Sequence, residues 1–157
     1  MELVCGFWYN FFMQKIKKIT IFTDGGSRSN PGLAGAGVVI FDEEGIELAD
    51  VSKFLGIRTN NWAEYEAVIL GLRKAKEIFS AQLAQMEVEV KMDSQLVQRQ
   101  LNREYKIKKP ALLEQFVKVN DLIIDSFPNI KFTYIPREEN KRADELANEA
   151  MDQGNKQ

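Results

Sequence analysis

The run Lys18 to Ile40, KITIFTDGGSRSNPGLAGAGVVI, constrains the fold more than any other part of the chain. Ile19, Ile21 and Thr23 alternate with Thr20 and Phe22, the period of two expected of a strand. The run then meets Asp24, two glycines and Asn30-Pro31-Gly32, after which Gly35-Ala36-Gly37 leads into Val38, Val39 and Ile40. Read alone, it is a hairpin with an Asp-Gly turn. A carboxylate at a strand end, followed by glycines, also puts an acid beside backbone that another molecule can approach closely.

The rest of the chain extends this hairpin into a layered fold. Ile46 to Leu55 alternates as a third strand after the turn Phe41 to Gly45. Thr59-Asn60-Asn61 announces a helix whose apolar stripe is Tyr65, Val68, Ile69, Leu72, Ala75 and Phe79. Met86 to Met92 alternates as a fourth strand ending at Asp93, and Ser94 caps a short helix to Leu101. A second amphipathic helix spans Ala111 to Phe127, a last strand Ile130 to Ile135, and a last helix Asn140 to Met151 with Ala143, Leu146, Ala147, Ala150 and Met151 on one face. Three strands before the first helix and alternation afterwards predict an α/β layer fold with a mixed sheet.

The chain of 157 residues suits one domain, read as 15–152, with an extension at 1–14 and a loose tail at 153–157. The apolar run from Leu3 to Met13 is broken by Gly6 and Asn10 and falls short of the roughly 20 residues of a membrane helix. Glu2 stands where a signal peptide would be basic, and no small-residue cleavage site follows. Met13 would serve as a start of its own. The residues before it read as an extension from a misassigned start codon, or else as a strand or tail packed on the domain. The expected setting is cytoplasmic and monomeric, without a membrane.

Composition removes whole classes of chemistry. There is no histidine, which excludes Ser-His-Asp and Cys-His catalysis and the usual general base. A single cysteine excludes an internal disulfide and a thiolate zinc cluster. The net charge of −2 offers no global basic field, so a nucleic-acid partner would need a local patch or metal ions. What remains is chemistry on carboxylates, amides, hydroxyls, lysines and arginines, and hard oxygen ligands suit magnesium or manganese.

Four acids stand where elements begin or end: Asp24, Glu64, Asp93 and Asp144. Each has a plain structural explanation. Asp24 could open a turn, Glu64 could form a capping box with Asn61, Asp93 could cap a helix, and Asp144 could complement a helix dipole. Together they are harder to explain, because in a sheet with strands one and four adjacent and parallel several of them would crowd one edge. Like charges in one site raise one another's pKa unless a cation intervenes. A pair of divalent ions answers that crowding and equips a site for phosphodiester cleavage.

At these residues the chain resembles the type 1 ribonuclease H family. The matching segments are TDGGSRSNPGLAGAG, TNNWAEYEAVILGL, MDSQLVQRQLN and PREENKRADELANEA, in the family's order from about Lys18 to Met151. The resemblance implies a five-stranded mixed sheet of order 3-2-1-4-5 with strand 2 antiparallel, flanked by helices. It also implies cleavage of the RNA strand of RNA–DNA hybrids with two Mg2+ ions when substrate is bound, Mn2+ being an alternative. By position, Asp24 and Asp93 would hold both ions, Glu64 one ion and a ribose hydroxyl, and Asp144 the other ion. Asn30, Asn60, Asn61 and Gln95, with Gly25 and Ser94 nearby, would contact the hybrid's minor groove, where 2′-hydroxyls distinguish RNA from DNA.

Two departures stand out. Many members carry a histidine before the last helix. Here Arg137 or Glu138 would have to take over part of its role, or product release would be slower. Longer members carry a basic substrate-gripping helix and loop, for which only Arg99, Arg103, Lys106, Lys108 and Lys109 are present, and these read almost as well as a solvated loop. The competing readings are a hybrid-binding module with weak or no catalysis, another nuclease of the same superfold, and a plain structural domain. A proofreading-type exonuclease would show Asp-x-Glu where this chain has Asp24-Gly25-Gly26.

Overall fold

The computed structural model describes residues 16–154 and 156, so the extension read at residues 1–14 lies outside the described residues. The strands are β1 (Lys18–Ser27), β2 (Gly32–Asp42), β3 (Glu47–Arg58), β4 (Glu87–Met92) and β5 (Ile130–Tyr134). The helices are α1 (Asn60–Phe79), α2 (Gln95–Leu101), α3 (Pro110–Ser126) and α4 (Lys141–Gly154), with short 3₁₀ turns at Ser80–Gln85 and Arg137–Glu139. The sheet order is β3-β2-β1-β4-β5, with β2 antiparallel to both neighbours and β1, β4 and β5 parallel. This is the five-stranded mixed sheet expected.

Alternation sorts the side chains. Ile19, Ile21, Val38 and Ile40 are buried in the main core together with Tyr65, Val68, Ile69 and Leu72 of α1. The apolar stripe read in that helix is therefore the face it buries. α1 packs on β1 and β2 with α3 beside it, while α4 packs on β2, β3 and β1. The opposite face receives α4, and here β2 carries Gly35 and Gly37 instead of branched residues. A Cβ on Gly37 would meet the Ala143 carbonyl oxygen at 2.0 Å and the Ala147 nitrogen at 2.6 Å. The glycines let the α4 backbone lie directly on the strand.

Two local readings need correction. Asp24 does not end β1, and the hairpin does not turn at Asp-Gly. β1 continues through Gly25 and Gly26 to Ser27, paired with β2 as far as Ser27↔Ala34, and the turn lies at residues 28–31. What ends at this level is the parallel ladder, whose last pair is Thr23↔Met92. Tertiary pairing with β2 overrides the local turn signal of Asp24-Gly25. The last helix also runs on to Gly154, past the end read at Met151. Among the described residues, no helix is long and apolar enough to cross a membrane.

Gly37→Ala is expected to lower unfolding free energy by about 2 kcal/mol or more, because backbone atoms of α4 must yield to the new methyl group. Denaturant midpoints would measure it, and a midpoint equal to the wild type would contradict the close apposition of β2 and α4.

Candidate active site

Asp24 and Asp93 each lie one residue beyond the last pair of the β1–β4 ladder, so the two chains deliver them side by side. Glu64 comes from α1. That helix is capped by Thr59, whose hydroxyl accepts from the Trp62 N–H at 3.3 Å, and it starts at Asn60. The capping box read for Asn61 and Glu64 is therefore not formed, and Glu64 falls just past the first turn. Its carboxylate instead accepts from the Gly25 N–H at 3.3 Å. Gly25 has to be glycine for this contact, since a Cβ there would lie 2.1 Å from the Ala63 carbonyl carbon. Ser94 caps α2 as expected, accepting from Val97 N–H at 3.3 Å, which leaves Asp93 uncommitted to that helix.

Carboxylate oxygens of Asp24, Glu64 and Asp93 all lie within 4.8 Å of one another, and this is the one such group among the described residues. Asp144, in the first turn of α4, faces the same cleft but pairs with Arg137 at 3.0 Å. The cleft has a volume of about 450 Å³, and Gly25, Gly26, Ser27, Arg28, Asn60 and Asn148 complete much of its wall. A larger cleft of about 800 Å³ lies near the start of β1, around Lys17, Glu43, Gln82 and Glu87, and has no comparable group of converging acids.

Electrostatics follow from this crowding. Asp24 is only 8% exposed. Burial above all, then the charges of Asp93 and Asp144, push its carboxyl up to about 7, against the pull of Arg137. Burial, then Asp24 and Asp93, also raise Glu64, with the Gly25 N–H opposing. Asp93 is raised chiefly by burial, while the Asn140 amide and Arg137 pull it down. Asn140 is 1% exposed, and its Nδ2 donates to the Thr23 carbonyl at 2.9 Å. Its own backbone carbonyl accepts from Asp144 N–H at 3.1 Å, so one residue ties the start of α4 to β1 where the ladder with β4 ends.

The expected substrate residues divide by position. Asn30 and Asn60 use their amide oxygens internally, accepting from Asn60 N–H at 3.1 Å and Ser27 N–H at 2.7 Å. Their NH2 groups have no protein partner among the described residues. Gly25 and Asn60 line the cleft, whereas Asn30, Asn61, Ser94 and Gln95 do not, standing one or two residues along the chain from residues that do. Arg137 lines the cleft and Glu138 is exposed outside it. Asn140, Asn148 and Arg28 were not singled out from sequence. Asn148 was legible as one helical turn beyond Asp144, but the other two depend on partners distant in the chain.

The donor set fits a divalent cation. Three converging carboxylates with raised pKa values resist joint ionisation, and hard oxygens suit small dications such as Mg2+ or Mn2+. The pH dependence has a definite sign. Between the ordinary carboxylate range and about 7, folded Asp24 keeps a proton that the unfolded chain has lost, so stability falls as pH rises through that window. Without divalent ions, Tm is expected to decline from about pH 5 to about pH 8. Asp24→Asn should flatten that decline, raise Tm near the upper end, and lessen the stabilisation that Mg2+ or Mn2+ gives the wild type. Identical pH slopes for both proteins in thermal melts would contradict the crowding.

With this geometry in view, the chain compares closely with known proteins. Residues 22–150 match the family described as reverse transcriptase-like. The bifunctional protein Rv2228c of Mycobacterium tuberculosis is 41% identical over 136 residues, covering 86% of this chain and 36% of that protein. Ribonuclease HI of Halobacterium salinarum is 37% identical over 135 residues, covering 86% of this chain and 65% of that protein. The chain thus spans about a third of the length of the mycobacterial relative and just under two thirds of the archaeal one. Among solved structures, LC11-RNase H1, isolated from compost by a metagenomic approach, superposes with a TM-score of 0.84 at 51% identity, over 88% of this chain and 99% of that one. The same protein in complex with an RNA/DNA hybrid superposes with a TM-score of 0.83, over 87% of this chain and 98% of that one. With the sheet order, the placement of the acids and these relatives in agreement, the chain belongs to the type 1 ribonuclease H family.

Proposed function

We propose that this chain hydrolyses the RNA strand of RNA–DNA hybrids in a reaction that requires divalent ions, Mg2+ or Mn2+, acting as a cytoplasmic monomer. The observation that carries this reading is the convergence of Asp24, Glu64 and Asp93 within 4.8 Å where β1 and β4 part. The hybrid bound to LC11-RNase H1 supports the choice of substrate.

In this reading Asp24 and Asp93 would hold both ions, Glu64 one of them, and Asp144 the other. Bound ions supply an activated water and neutralise charge at the phosphate. The protein's own groups do the positioning. The free NH2 groups of Asn30 and Asn60, with Asn61, Ser94, Gln95 and the Gly25 backbone, meet 2′-hydroxyls and sugar edges of the minor groove. The hydrogen bond from Gly25 fixes the Glu64 carboxylate, whose second partner in this reading would be a ribose hydroxyl. Arg137 lies in the turn before α4, the stretch in which other members carry a histidine, and it lines the cleft. Its guanidinium does not give up a proton, so it acts by charge on Asp144 and the phosphate and not as a proton carrier. Glu138, pointing to solvent outside the cleft, has the weaker claim.

Incubation of a strand-labelled RNA–DNA hybrid with the protein and Mg2+ or Mn2+ is expected to cut the RNA strand alone. Asp93→Asn should reduce the rate by about 100-fold or more, the scale of losing one preorganised charge at a reacting phosphate. Absence of metal-dependent cleavage, or equal cleavage by the variant, would leave hybrid binding without catalysis as the better reading. Arg137→Ala should slow turnover by about tenfold, with a smaller effect for Glu138→Ala. Unchanged turnover in both would mean that neither replaces the histidine.

A further inference from the structure

A positive side chain the family comparison does not account for sits on the wall of the same cleft. Arg28 lies in the turn between β1 and β2, and that turn is held firmly in place. Ser27 N–H donates to Asn60 Oδ1 at 2.7 Å, Arg28 N–H to the Leu33 carbonyl at 2.9 Å, and Asn60 N–H to Asn30 Oδ1 at 3.1 Å. Across from it, α4 presents Asp144, Asn148 and Asp152 at intervals of four, one continuous face. Asp144 and Asn148 line the cleft with Arg28, and Asp152 receives the Arg28 guanidinium at 2.5 Å. That pair is open to solvent, its side chains 48% and 68% exposed, and such pairs contribute little to stability. An acid so placed, on the face that begins with Asp144, would repel a nucleic-acid strand. The arginine beside it would attract one.

We propose that Arg28 binds a phosphate of the RNA strand a few nucleotides from the scissile bond, and that Asp152 occupies the guanidinium until that phosphate displaces it. The inference rests on the hybrid-cleaving reading above. Asp144 and Asp152 are eight residues apart on α4, about 12 Å along the helix axis, so the guanidinium that Asp152 holds stands off from the acids, at the distance of a flanking phosphate and not of the reacting one. The guanidinium fork fits phosphate oxygens as well as carboxylate oxygens, and both are acceptors for the same N–H donors. The carboxylate thus stands in for a phosphate and competes with it. Arg137 neutralises the cleft at the Asp144 end and Arg28 at the Asp152 end, so the strand meets a cation on either side of the acids.

Competition predicts effects of opposite sign for the two partners. In steady-state cleavage of an RNA–DNA hybrid, Arg28→Ala is expected to raise KM by about three- to tenfold with kcat within about twofold, and to make the salt dependence of kcat/KM shallower by about one phosphate contact. Asp152→Asn should lower KM by about two- to threefold, and should have no such effect in the Arg28→Ala background. An ion pair of purely structural value would instead shift Tm in both variants and leave KM and the salt slope alone. That outcome overturns the proposal, as does an equal fall in KM for Asp152→Asn with and without Arg28, which would be a general charge effect. If the wild-type protein itself fails to cut the hybrid, the hybrid-cleaving reading falls. Cleavage by the wild type with an indifferent Arg28→Ala removes only the phosphate contact.

Discussion

Repulsion among carboxylates brought within 4.8 Å is the condition the rest of this fold is built to withstand. Left to themselves, such groups would separate or take up protons, and Asp24 does the latter, its carboxyl held near 7. Three features hold the acids together. The β1–β4 ladder runs to Thr23↔Met92 and so delivers Asp24 and Asp93 at one level. The Gly25 N–H holds Glu64 from the side. Asn140, buried between β1 and α4, fixes the start of the helix that carries Asp144. The free energy that keeps the acids close comes from core packing well away from them, and a bound dication would return part of it.

Close approach of backbone to backbone is the second requirement, and glycine supplies it on both faces of the sheet. Gly25 admits the start of α1, where Ala63 and Glu64 sit, and Gly37 admits α4 at Ala143 and Ala147. With larger residues at these points each helix would stand off, and the acids it carries would leave the cluster even though every local element still formed. The glycines of the opening run therefore act on the site through packing. Direct access for a ligand is the smaller part of their role, confined to Gly25 and Gly26 on the cleft wall.

Much of this was legible because it repeats along the chain. The alternation of β1 and the stripes of α1 and α4 name their buried residues correctly, and the acids' positions at element ends pointed to one edge of the sheet. What was misread is local chemistry overruled by distant partners. Asp24-Gly25 reads as a turn until β2 is known to pair through it, and Asn61 with Glu64 reads as a capping box until Thr59 takes the cap and Gly25 the carboxylate. What was missed depends on contacts across most of the chain. Asn140 meets Thr23 from 117 residues away and Arg28 meets Asp152 from 124, and nothing near either residue signals its partner.

The distribution of positive charge bears on how such a chain could hold nucleic acid with a net charge of −2. Of the basic residues from Arg99 in the last turn of α2 onward, Arg99 donates to the Tyr105 hydroxyl and Arg103 to Asn120, which leaves Lys106, Lys108 and Lys109 exposed without an ion-pair partner among the described residues. Three exposed ammonium groups on flexible side chains give attraction at short range with little geometric selection. Orientation must then come from the cleft, where two arginines flank acids that repel phosphate until cations bind. Metal ions and hybrid would each make the other's binding more favourable, since the ions remove the repulsion and the phosphate neutralises the charge the ions bring. Thermodynamic linkage makes that coupling reciprocal, so hybrid affinity should depend on divalent-ion concentration as well as on total salt. A family member without a long basic protrusion can in this way place its selectivity in the site itself.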